Sequence, residues 1–172
     1  MHIVLCDTSY AEPILAILND AICHSTALYD YQPRTMADMQ TWFEVKAQHH
    51  YPVIGLVDDH NTLLGFATYG TFRAFAAYKY TVEHSLYVHK DYRGQGLGKV
   101  LLAELVKHAT AQNKHCLVAG IDAANTVSIA LHQQAGFTYC GTIKQAGYKF
   151  AQWLDLDFYQ LLLPTPAEPN EE

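Results

Sequence analysis

Residues 80–99 read YTVEHSLYVHKDYRGQGLGK, and this stretch restricts the fold more than any other. Thr81 to Val88 alternates like a strand. A turn holding Gly94, Gly96 and Gly98 follows, then a helical stretch with Leu97, Val100, Leu101, Leu105, Val106 and Ala109 on one side. A glycine-rich turn at the start of a helix offers free N–H groups and the positive end of the helix dipole. Without Cβ atoms its backbone can approach an anion closely, which is the geometry of a phosphate cradle. A Walker loop fails here, because Arg93 stands where the first glycine belongs and Val100 where Ser or Thr belongs. GQGLG also lacks the G-x-G-x-x-G spacing of a dinucleotide fingerprint. The pattern Q/R-x-x-G-x-G/A is met by Arg93, Gly96 and Gly98, with the amides from Gly94 to Lys99 around a coenzyme A pyrophosphate. A glycine-softened turn with no ligand is the competing reading.

The rest of the 172-residue chain supplies one domain around that turn. A strand at 2–7 precedes a helix at 10–23, and Thr35 and Asp38 stand in capping-box spacing at the head of a second helix. Residues 51–70 form a hairpin around DDHN, and 80–88 is a third strand of that group. HCLVAGI reads as a buried strand, NTVSIALHQQAG as a helix stopped by Gly136, and FTYCGTI and WLDLDFYQLLL as two closing strands. This order implies an α/β (α+β) fold, a sheet of mixed direction with helices on both faces. The boundaries are one domain over 2–163 and a Pro-rich acidic tail at 164–172, expected to be disordered.

A formal charge of −6 argues against a general nucleic-acid binder. No apolar run reaches the roughly 20 residues of a membrane span, and no basic n-region marks a signal peptide. Cys6, Cys23, Cys116 and Cys140 form no C-x-x-C pair, and three lie within apolar runs. They read as buried thiols in a reducing, cytoplasmic compartment. The histidines show no metal-ligand spacing, so no metal is expected.

YVHKDYRGQGLGKVLL resembles the acetyl-CoA motif of the GNAT superfamily of N-acetyltransferases, and NTVSIALHQQAGF resembles its later helix segment. The resemblance spans about residues 2–163. TVEHSLYV, SIALHQQAGF, GYKFAQWLDLDFYQLLL and STALYDYQPRT are similar to the phosphinothricin and methionine sulfone/sulfoximine acetyltransferase branch. It implies the GNAT fold, with a mostly antiparallel central sheet. It further implies acetyl-CoA as co-substrate, acetylation of the α-amino group of a small amino acid or analogue, and a homodimer.

The resemblance also assigns residues. Glu83 is the general base, in a strand where partial burial raises a carboxyl pKa. His84 falls on the opposite face by strand alternation and reads as structural. Leu86, Tyr87 and Val88 receive the pantetheine on a strand splayed from its neighbour, with Val88 N–H an oxyanion donor. Arg93, Gly94, Gln95, Gly96, Leu97, Gly98 and Lys99 hold the pyrophosphate. Asn125 and Ser128 share a helical face with His132. Asn125 bonds the pantetheine arm or caps its helix, while His132 protonates the thiolate or packs. Tyr29, Arg73, Tyr78 and Lys79 serve the acceptor, Arg73 through its carboxylate. Phe75 replaces a second basic residue of the phosphinothricin pattern, which favours a less anionic, more apolar amino acid. Two other functions fit the motifs: a peptide or protein N-terminal acetyltransferase, and a non-catalytic acyl-CoA-binding module.

Overall fold

In the computed structural model, which describes residues 1–171, the eleven expected elements occur in the expected order. Strand β1 (His2–Leu5) leads to helices α1 (Ala11–His24) and α2 (Met36–Gln48), then β2 (Val53–Val57), β3 (Leu63–Thr71) and β4 (Thr81–Val88). Helix α3 (Leu97–Ala111), β5 (Cys116–Asp122), α4 (Thr126–Gln134), β6 (Thr138–Lys149) and β7 (Gln152–Leu162) complete the chain. The seven strands form one sheet in the order β1-β2-β3-β4-β5-β7-β6. Every neighbouring pair is antiparallel except β4 and β5, which the crossover helix α3 joins in parallel.

The sheet is buried from both sides. Ile14, Ile17 and Leu18 of α1 and Met39 and Phe43 of α2 pack with Val53, Val57 and Phe66 on one face. Leu97, Leu101 and Leu105 of α3 pack with Ile54, Val82, Leu117 and Ile121 on the other. Strand β2, one in from the edge, is buried along its whole length, so its VIGLV reads as a continuous apolar run rather than an alternation. The capping box is formed: Asp38 N–H donates to Thr35 Oγ1 at 3.2 Å, and Thr35 N–H to Asp38 Oδ2 at 2.7 Å. Segment 25–35, between α1 and α2, is irregular and pinned from the far end of the sheet. There Lys149 Nζ donates to Ser25 O at 2.8 Å and to Leu28 O at 2.7 Å.

The structure departs from the sequence reading in several places. Helix α3 begins at Leu97, with Gly96 at φ 76° as its N-cap, and Val100 on that helix is exposed rather than core. Strand β6 continues past FTYCGTI to Lys149, its register shifting between Tyr139 and Gly141 and between Ile143 and Gly147. The thiols are not buried. Cys23 and Cys140 are exposed and Cys6 and Cys116 half-buried, because an apolar run in an outer helix or edge strand still has a solvent side. The tail expected to be disordered forms no helix or strand over 164–171, yet Thr165 Oγ1 donates to Lys114 O at 2.6 Å and Lys79 Nζ to Asn170 Oδ1 at 2.9 Å. Residue 172 lies outside the described residues.

Candidate active site

The pairing of β4 stops being symmetric halfway along the strand. Toward β3 its ladder runs from Val82 to Val88, but toward β5 it holds only Thr81–Glu83 against Cys116–Val118. Beyond Glu83 the two strands diverge. A cleft of about 90 Å³ opens between them, walled by Ser85, Leu86 and Tyr87 on one strand and Ala119, Gly120, Ile121 and Asp122 on the other. His89 N–H donates across to Leu64 O of β3 at 2.8 Å. Peptide groups alternate sides along a strand, so the N–H groups of Leu86 and Val88 face the gap. The expected splay is therefore a feature of this sheet.

The glycine turn lies at the open end of the same strand. Gly94 has φ 77° and Gly96 φ 76°, the left-handed region in which glycine is at ease. A Cβ at either would meet nothing within 4 Å, so both glycines are there for their backbone conformation and not for want of space. Gly98 meets a different demand: a Cβ there would lie 3.1 Å from Leu131 Cδ2, where α3 packs close to α4. Gln95, Leu97 and Lys99 complete the segment, with Leu97 buried and Lys99 N–H closing the first turn on Gly96 O at 3.1 Å. The Arg93 side chain is committed elsewhere, its Nε on Val88 O at 3.2 Å and its guanidinium on Asp20 at 2.9 Å. It ties the end of β4 to α1, so its part in a phosphate cradle falls to its backbone.

Helix α4 closes one wall with Asn125, Ser128 and His132, the three residues that sequence spacing places on one face. Asn125 Oδ1 accepts from Ser128 N–H at 3.1 Å, so its side-chain oxygen caps the helix. Both ring nitrogens of His132 are engaged, Nδ1 2.7 Å from Ser128 O and Nε2 2.9 Å from His84 Nε2. Sequence reasoning set His84 aside as structural. It is 48 residues from its partner, and no local spacing signals such a contact.

Glu83 lies on the other face of β4, half-buried. Burial raises its carboxyl pKa above the ordinary value, and the Arg73 guanidinium opposes that rise. Gly120 leaves room for it, since a Cβ there would lie 3.0 Å from Glu83 Oε1. The sequence therefore brings Glu83 and Arg73 together, and Gly120 is a member of the site that sequence reasoning missed. Arg73 also lies over the Phe72 ring at 5.3 Å, and Phe72 meets Tyr78 edge-on at 5.7 Å. Tyr29 packs its ring on Gly147, donates to Asp155 O at 3.3 Å, and has its hydroxyl pKa pushed up to about 12 by burial and by Asp122, Asp155 and Asp157. It stands against the β6–β7 hairpin, while Ala27 of the same segment lines the cleft. Lys79 Nζ donates to Asn170 Oδ1 at 2.9 Å and lies over the Tyr80 ring at 5.0 Å. No cluster of three or more His, Cys, Asp or Glu side chains suited to a metal ion occurs among the described residues. No helix among them is long and apolar enough to cross a membrane.

A half-split parallel pair with a glycine turn at its mouth is the arrangement of an acyl-thioester-using transferase, and comparison with known proteins agrees. The acetyltransferase (GNAT) family matches residues 16–137, and the chain belongs to it. The chain is 45% identical over 157 residues to an L-methionine sulfoximine/L-methionine sulfone acetyltransferase of Pseudomonas paraeruginosa, spanning 91% of each. Its fold superimposes on a candidate acetyltransferase from Acinetobacter baylyi ADP1 with a TM-score of 0.98 at 55% identity, over 99% of this chain and 97% of that one. A GNAT superfamily phosphinothricin acetyltransferase from Sinorhizobium meliloti, solved in complex with acetyl-CoA, matches with a TM-score of 0.93 at 32% identity, over 98% and 91%. The protein is an N-acetyltransferase, with the mixed, mostly antiparallel sheet expected of one.

Proposed function

We propose that the protein transfers an acetyl group from acetyl-CoA to the α-amine of a small, largely apolar amino acid of the methionine sulfone or sulfoximine type. The observation that carries this is the cleft between β4 and β5, with a half-buried carboxylate at its root and an open glycine turn at its mouth. Acetyl-CoA supplies a thioester whose acyl carbon the free amine attacks, with an amide and a thiol as products. The residues of the chain fit that donor. The amides from Gly94 to Gly98, at the head of α3 beside Lys99, hold its diphosphate, the edge of β4 at Leu86, Tyr87 and Val88 pairs with its pantetheine, and Asn125 and Ser128 face the same arm.

Glu83 takes the ammonium proton, directly or through one water, since an ammonium has no lone pair to attack with. Val88 N–H is aimed where negative charge develops on the carbonyl oxygen. His132 is a wall of the cleft rather than the proton donor, because Ser128 and His84 already occupy its two nitrogens; the thiolate is protonated from solvent. Arg73 receives the substrate carboxylate beside Phe72 and Tyr78, with Tyr29 behind. With Phe75 exposed where a second cation would serve phosphinothricin, an apolar acceptor is preferred.

Residues 2–163 work as one domain. Exposed Tyr139, Ile143, Tyr148, Phe150 and Trp153 on the β6–β7 edge support a homodimer through that edge, which light scattering at micromolar concentration would detect. Four free thiols, two of them exposed, support a cytoplasmic setting. Thiol release from acetyl-CoA with methionine sulfone, methionine sulfoximine, phosphinothricin, common amino acids and short peptides tests the function. Turnover confined to peptides, or absent with every amine, would overturn it.

A further inference from the structure

The even-numbered face of β4 carries a buried imidazole pair that the transfer steps above leave out. His84 and His132 are both more than nine-tenths buried, their rings stacked with centroids 5.1 Å apart, and Phe137 covers both. The contacts dictate where the protons are. His132 Nδ1 lies 2.7 Å from the Ser128 carbonyl, which can only accept, so Nδ1 carries the hydrogen. The Ser128 hydroxyl, at 3.4 Å, is too far to compete. His132 Nε2 is then a bare acceptor, and the hydrogen in the 2.9 Å Nε2–Nε2 contact belongs to His84. His84 Nδ1 is then left without a hydrogen; it makes no hydrogen bond of normal geometry among the described residues, although the Val118 backbone lies near enough to pull on the ring.

We propose that His84 is a positioning residue that locks His132 as a neutral, Nδ1-protonated imidazole in the wall of the acetyl-transfer cleft. This rests on the reading of that cleft as the thioester site. The lock has two consequences. A protonated His132 would place a cation against the cleft and keep the His84 contact only if His84 moved its hydrogen from Nε2 to Nδ1. The ring also cannot swing its Nε2 toward the thioester sulfur and take or give a proton there. The other ionisable groups lining the cleft are Tyr87, on the opposite face of β4, and Asp122, whose Oδ1 accepts Ala124 N–H at 3.0 Å. Burial, reinforced by the neighbouring ring and opposed by the Val118 backbone, pushes the His84 pKa down to about 3, and burial lowers that of His132 against the pull of the Ser128 carbonyl. Neither is expected to titrate near neutrality.

The test is long-range proton–nitrogen NMR of the histidine rings in the ligand-free protein from pH 5.5 to 8, which requires no turnover. The wild type should show His132 protonated at Nδ1 and His84 at Nε2, with no titration of either. His84→Leu removes the donor without adding charge; His132 should then titrate toward the ordinary imidazole value of about 6.5. kcat/KM for acetyl-CoA in that variant should fall at least about threefold from pH 7.5 to 6, beyond any loss in the wild type. His84→Gln, which restores an N–H donor, should suppress the new titration. An Nε2-protonated or titrating His132 in the wild type overturns the proposal even if the leucine variant does not fold. So does a His84→Leu protein whose His132 stays silent. Failure of the wild type to bind acetyl-CoA would instead refute the functional reading and leave these spectra unaffected.

Discussion

Replacing Glu83 by Gln keeps the shape of the side chain and removes its ability to take a proton. The carboxylate is half-buried, Gly120 makes room for it, and burial holds its pKa above the ordinary value. A base of that kind contributes on the order of 10²–10⁴ in rate, about 2.7–5.4 kcal/mol of barrier at 1.36 kcal/mol per decade. The Leu86 and Val88 amides that face the gap lie further along β4 and are untouched, so acetyl-CoA affinity should change less than twofold. The same burial makes an opposite prediction for stability. An acid whose native pKa is raised folds more favourably when protonated, so its ionisation costs stability as pH rises through the raised value. Gln carries no charge to desolvate. The variant should therefore melt above the wild type at pH 7.5 and level with it below the ordinary carboxylate pKa. The assay is thiol release under saturation with both substrates, paired with calorimetry on acetyl-CoA and thermal melts at pH 4 and 7.5. A variant keeping more than a tenth of wild-type turnover, with unchanged affinity, refutes the base assignment.

Arg73→Met removes the cation that opposes the rise in the Glu83 pKa. The acidic limb of kcat should move to higher pH, and KM for the amino acid should rise at least tenfold; an unmoved limb would separate the two residues. Gly96→Ala forces a side chain to φ 76°, a cost of about 1–3 kcal/mol, and should lower both Tm and acetyl-CoA affinity; calorimetry showing full affinity would detach the turn from the diphosphate. Thr35→Ala breaks the capping box of α2 for about 1 kcal/mol. A Tm drop of roughly 2–4 °C with unchanged kcat is expected. Stability should fall as pH drops below about 6.5, toward the lowered values of His84 and His132, because the unfolded chain protonates two imidazoles that the native state keeps neutral. Denaturant titrations at pH 7 and 5 should show His84→Leu less sensitive to that change than the wild type.

Local rules carried the parts of this fold that are local. The capping box, the hairpin and the glycine turn are each specified within a few residues, and each forms. Sheet order and the split between β4 and β5 depend on partners more than thirty residues away, so a strand pattern such as TVEHSLYV cannot announce them. The resemblance to a known family supplied the split instead. β6 was read too short because KQAGYK has no alternation to show; its residues bulge, with Gln145 at φ 53°, before pairing resumes at Gly147. The partial burial of Glu83 was legible in its apolar-bounded strand, and the electrostatic influence of Arg73 on it emerges only with the fold. The contact between Lys79 and Asn170 was not legible, because nothing in TFRAFAAYKY foretells a meeting with a residue 91 positions away. His84 shows the reverse error. Alternation put it on the correct face, but its meaning lies in a ring on another helix.

Backbone hydrogen exchange, followed by mass spectrometry with and without acetyl-CoA, tests the central claim at the atoms it concerns. Saturating ligand should slow exchange in peptides covering Leu86 to Lys99, with the largest effect between Gly94 and Gly98. Unaltered exchange there, or protection confined to another part of the surface, would contradict the account.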